Sequence, residues 1–179
     1  MREAIGGTWL FQIVIVFILL FTGFMCLTIN RSKAFNVKDQ IIQTIQNYNG
    51  VNVQDGYDEY NTNAFSEIVG YIKENSFRTT GKTPKDEMVN GENVSYECYD
   101  RNGKILPKNS DLAVFCIAPI DISTEACSGP DCFNELPKMT YYRVVVFYQL
   151  DLPVFGDLFN FKVVGDTKTL YGDPLWDKR

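Results

Sequence analysis

From Thr8 to Ile29 the chain reads TWLFQIVIVFILLFTGFMCLTI, about 22 residues without a formal charge, and roughly 20 apolar residues at about 1.5 Å rise each cross a bilayer's hydrocarbon core. Inside lipid each backbone amide needs a partner within its own segment, so such a stretch is restricted to a helix. Gln12 and a few small hydroxyl residues are its interruptions. A secretory signal would show a shorter apolar run and then a small-x-small cleavage site. Asn30-Arg31-Ser32-Lys33 follows instead, so residues 1–29 read as a retained membrane-spanning segment.

The helical pattern continues past the membrane edge. Ala34, Val37, Ile41, Ile45 and Tyr48 step by three or four, and Phe35 and Ile42 widen the stripe. Asn49-Gly50 is a stop signal, because glycine accepts the left-handed conformation past a helix C-terminus. With no proline in between, the spacing predicts one helix of about 40 residues, roughly 60 Å long, over the span and its extension at residues 30–50. Residues 51–179 then form a single α+β domain with one core.

A net charge of −5 argues against nucleic acid as the main partner, and the apolar span makes membrane lipid one. The chain has no histidine, which removes Ser-His-Asp and Cys-His catalysis and HExxH zinc sites; no catalytic residue, metal site or cofactor is assigned. Of five cysteines, Cys26 lies in the span as a packing residue or a lipidation candidate. Cys98, Cys116, Cys127 and Cys132 lie in the distal domain and lack zinc-type spacing, so two disulfides and an oxidising compartment are expected. Cys127 and Cys132 frame a Gly129-Pro130 turn and suit a small closed loop, leaving Cys98 for Cys116, although four cysteines permit three pairings. Topology is contested within the sequence. Arg31, Lys33 and Lys38 outnumber Arg2 plus the amino terminus, which by the positive-inside rule holds the domain in the cytoplasm. A dedicated export route overrides that bias, and the cysteines favour an extracytoplasmic domain on a single-pass anchor.

Residues 51–62 read as an acidic loop whose Asp55, Asp58 and Glu59 lack calcium-loop spacing. A second helix is expected at about Asn63–Asn75, with Phe65, Ile68, Val69 and Ile72 on one face. Ser76–Asn93 reads as loop, and Asn93-Val94-Ser95 matches the glycosylation acceptor pattern. The remainder reads as β: an alternating Val94–Asp100, an Asn102-Gly103 turn, an apolar Leu112–Pro119, a long strand Thr140–Leu152, an apolar connection Leu152–Phe159, and a last strand at about Asn160–Tyr171. Gly172–Arg179 is a charged tail.

A hydrophobic helix with an amphipathic extension, a second helix, an antiparallel sheet and a C-terminal disulfide region resemble the layout of type IV pilin-like subunits. The ending, Tyr142-x-Val144-x-Val146-x-Tyr148, then Leu152-Pro153, then Val163-Val164-Gly165-Asp166-Thr167 and Tyr171, is similar to that of TadE-like pseudopilins of the tight-adherence apparatus. The likeness covers the first ~45 and last ~35 residues, and it implies a pilin-like α+β fold: a long helix packed on a small antiparallel sheet. It also implies other pilin-like subunits, an assembly platform and a prepilin peptidase as partners. Gly7 would be the glycine before the cut and Thr8 the first mature residue. The fifth mature position, usually glutamate in prepilins, is then Gln12, an amide that hydrogen-bonds but forms no ion pair. That departure points to a minor pseudopilin or an uncleaved anchored relative. Gly23 and Thr22 would let neighbouring helices approach closely, and Gln12 and Phe35 are the residues assigned to assembly. The competing expectation is a tethered extracellular binding module that uses its loops at 51–62, 76–93 and 126–136.

Overall fold

A computed structural model describes residues 2–51, 63–75, 80–89, 92–122, 139–152 and 156–171. One helix, α1 (Arg2–Asn47), runs 46 residues without a break, roughly 70 Å at helical rise. It ends where the stop signal lies: the Gly50 amide donates to the Ile45 carbonyl at 2.9 Å, with Asn49 at φ 54° and Gly50 at φ 135°. The second helix, α2 (Ala64–Glu74), starts at an Asn63 cap whose Oδ1 accepts from the Ser66 amide at 2.7 Å. It buries Phe65, Ile68, Val69 and Ile72.

Five strands form the main antiparallel sheet. β3 (Glu97–Tyr99), β4 (Phe115–Ile122), β5 (Met139–Leu152) and β6 (Gly156–Asp166) lie side by side, and β7 (Leu170–Tyr171) continues along β5 beyond β6. A separate two-stranded ribbon pairs β1 (Glu87–Val89) with β2 (Glu92–Val94). The molecule is therefore α+β, a long N-terminal helix on a small antiparallel sheet.

Alternation sorts β5 between two cores. Tyr142, Val144, Val146 and Tyr148 face the helices, with Ala34, Val37, Ile41, Ile45 and the α2 face. Val145 and Phe147 face the other way, with Val94, Tyr96, Cys98, Cys116, Ala118 and Ile120. Gly81 closes this second layer: its amide and carbonyl pair with Ala113, and a Cβ there would overlap the Phe147 ring. The direction of α1 on the sheet follows from two contacts. The Val51 backbone lies at the Tyr142 hydroxyl, whereas Lys38 and Ile42 lie over Gly165, the partner of Val144. Helix α1 thus crosses β5 and β6, with its C-terminal end at Tyr142 and the turn at Lys38–Ile42 over Gly165.

Several expectations need correction. The single core expected of residues 51–179 is two, one on each face of the sheet, because β5 buries both of its faces. Ser76–Asn93 is not all loop, since it contains β1 and the start of β2. Val94–Asp100 is interrupted at Ser95 and Tyr96, although Val94, Tyr96 and Cys98 do share one buried face. The last strand begins at Gly156, inside the expected connection, and splits at Thr167 before β7. The apolar run at 112–119 enters the sheet only at Phe115 and continues to Ile122. The acidic loop at 51–62 beyond Val51, and the Cys127 and Cys132 pair, lie outside the described residues.

Candidate functional site

The N-terminal half of α1 is a bare apolar rod. All side chains from Thr8 to Thr22 are exposed, and Trp9, Phe11, Phe17 and Leu20 are among the most exposed apolar residues. It is the one candidate membrane span among the described residues, by length and composition. Two of its polar groups are satisfied internally. The Thr22 hydroxyl donates to the Ile18 and Leu19 carbonyls at 2.9 and 3.0 Å, and Thr28 donates to Phe24 at 2.9 Å. Asn30 Nδ2 points to Cys26 Sγ at 3.9 Å. Gln12 has no such local bond; it lines a shallow recess with Trp9, Ile13 and Val16. The Gly7–Thr8 bond falls within α1, one turn before Gln12.

The upper half of α1 behaves differently on its two sides. Ala34, Val37, Ile41, Thr44 and Ile45 are buried against the sheet and α2. Phe35 and Tyr48, expected in the same stripe, are instead 36% and 37% exposed. At 3.6 residues per turn, Phe35 falls beside the Ala34–Val37–Ile41 line rather than on it. Its ring is flanked by cations, with the Arg31 guanidinium carbon 5.5 Å and the Lys38 ammonium 5.0 Å from the centroid. Lys38 also reaches Asp39 at 2.9 Å. Tyr48 sits by Glu67, and the hydrogen bond to that carboxylate raises the phenol above its usual range. So Gln12 and Phe35 are both surface residues of α1, separated by 23 positions, and the fold does not bring them together within one chain.

In the C-terminal pattern that carried the resemblance, Gly165, Asp166 and Thr167 each have a structural role. Gly165 has no side chain where α1 crosses: an added Cβ would stand 2.8 Å from Lys38 Cδ and 2.9 Å from Ile42 Cδ1. Asp166 takes a two-point contact from Arg143, Nε at 2.8 Å and a terminal nitrogen at 3.1 Å. That carboxylate, followed by the Tyr96 hydroxyl, holds the guanidinium more firmly protonated than usual. Thr167 bonds to Tyr142 through both its amide and its hydroxyl.

Sequence reasoning did not find the Arg143–Asp166–Tyr96 group, since partners 23 and 47 positions apart share no local period. Cys98 and Cys116 are opposite each other on β3 and β4 and form a disulfide, as expected. Beside it, Thr83, Lys85, Asp86, Leu106 and Lys108 line an open cavity of about 260 Å³, spanned by the Lys108–Asp86 ion pair at 2.8 Å. Among the described residues no three His, Cys, Asp or Glu side chains gather as a metal site. Comparisons with protein-family models, curated proteins and solved structures return no match for this chain.

Proposed function

We propose that this chain is a membrane-anchored, pilin-like subunit, a minor pseudopilin of a surface filament or secretion apparatus, that works by packing its N-terminal helix into a bundle. The observation that carries the reading is α1: one unbroken helix whose lower half is apolar on all sides and whose upper half is the spine of the sheet domain. A rod of this kind exchanges lipid neighbours for helix neighbours at little solvation cost, because lipid tails and apolar side chains are equivalent surroundings. With Thr22 and Thr28 bonded within α1, Gln12 is the amide left to bond across to a neighbour, in place of the ion pair that a glutamate makes.

The reading assigns no catalysis to the chain. Its partners are membrane lipid, other pilin-like subunits and an assembly platform, with a prepilin peptidase acting at Gly7–Thr8. The sheet domain is extracytoplasmic, a placement supported by the Cys98–Cys116 disulfide.

The test is recovery of the chain in the sheared surface fraction of cells that produce it. Wild type should be recovered there, and Gln12→Leu and Phe35→Ala should each reduce recovery at least tenfold while the membrane pool is unchanged. Intact mass of the surface material should begin at Thr8. A chain confined to the membrane, retaining Met1 and indifferent to both substitutions, is a tethered binding module instead.

A further inference from the structure

We propose that the cations just past the apolar half of α1 form a collar that binds anionic phospholipid headgroups. Arg31, Phe35 and Lys38 recur at steps of four and three and so share one helix face. Arg31 and Phe35 lie beside the face that takes Ala34, Val37 and Ile41 into the core, and Lys38 lies at its edge, over Gly165. The Phe35 ring keeps both cationic heads within 5.5 Å of its centre, which holds them on the same side of the helix. Lys33, exposed on the same turn as Arg31, adds a third cation. Lys38 shares its charge with Asp39 and is largely covered, its side chain 14% exposed. Arg31 and Lys33 are exposed, and neither makes an ion pair among the described residues.

Position and charge select the occupant. Arg31 lies two residues, about 3 Å of helical rise, beyond Ile29, which is headgroup depth for a helix that leaves the hydrocarbon there. Residues 30–38 hold three cations and no acid. Four of the 17 basic residues lie in 1–38, and Glu3 alone of the 22 acidic ones, so residues 39–179 carry a net charge of −8. An anionic surface repels that domain, and the collar is the segment between them with the opposite sign. Arginine's planar fork suits two phosphate oxygens, and the aromatic ring beside it belongs at the same interfacial level. The inference rests on the membrane-anchoring part of the reading above and is independent of assembly.

The experiment places the full-length chain in nanodiscs of equal phosphatidylcholine and phosphatidylglycerol and measures, by native mass spectrometry, which lipids stay bound as the disc is stripped. Phosphatidylglycerol should be retained in preference, and Arg31→Gln and Lys33→Gln should each lower that preference about fivefold, the effect of one cation near a charged surface. Arg31→Lys should keep most of it. Equal retention of both lipids by the wild type overturns the collar while leaving the anchor intact. A chain that does not enter the disc overturns the anchor as well. A preference that survives the double Gln variant, with loss of cross-linking between copies, assigns the collar to the acidic domain of a neighbouring copy and overturns the lipid site.

Discussion

Thr167 uses a side chain where a strand would use its backbone. Its amide donates to the Tyr142 carbonyl at 2.9 Å, and its hydroxyl, also 2.9 Å away, accepts from the Tyr142 amide. The ladder is thereby kept through the break between β6 and β7. Replacing Thr167 by Val should strand a buried amide and lower the unfolding free energy by about 1–3 kcal/mol, measured by denaturant titration in detergent, with Thr167→Ser recovering most of it. Gly165 differs in kind. The Lys38 and Ile42 tips over it can shift for a methyl group, so Ala should cost little, whereas Leu should push α1 from β6 and cost about 1–3 kcal/mol. That Gly165 lies in the last strand was legible in sequence. The reason for the glycine was not, since the helix that needs the space lies more than 120 positions away. Phe35 was misplaced for a related reason: periodicity locates a stripe, but the edge of the stripe depends on how far the sheet wraps the helix.

The two helices were legible because each carries a local period with its stop signals. Asn63 and Asn75 stand as the caps of α2, and Asn49-Gly50 closes α1. Strand β5 was legible from its run of β-branched and aromatic residues. Strands β1 and β2 were not read correctly, being three residues each, too short for alternation to register. The α1–β5 contact is part of the first core. Ile41→Ala removes a side chain that is 1% exposed and should cost about 2–5 kcal/mol, read as a lowered denaturant midpoint. The Cys98–Cys116 bridge ties β3 to β4 across a separation of 18 residues. Loss of a loop closure of that size should cost about 3 kcal/mol, visible as a lower thermal midpoint in Cys98→Ala/Cys116→Ala.

The molecule combines a neutral apolar rod, a cationic collar and an acidic domain in that order along α1. Its pH response follows from tyrosines within the sheet. Burial, with Glu97 close by, pushes the Tyr99 phenol far above its ordinary 10.0, and burial likewise raises Tyr142 against the opposing effect of the Val51 backbone. Both phenols hold their protons to higher pH in the folded chain than in the unfolded one, where they ionise near pH 10. Their contribution is therefore complete below about pH 10 and is lost as pH rises beyond it. Tyrosinate absorbance should show Tyr99 ionising only with unfolding, and Tyr142 ionising later than an exposed tyrosine. Fold class was legible in the sequence because it depends on elements, while the proposed assembly depends on how copies meet, which no single chain displays. Disulfide trapping between copies tests it most directly. With Cys26 replaced by Ser and single cysteines introduced along the bare half of α1, at Ile13, Val16 and Leu20, bundle assembly predicts cross-linked ladders from cells, lost with Gln12→Leu. Monomer alone at all three positions would contradict it.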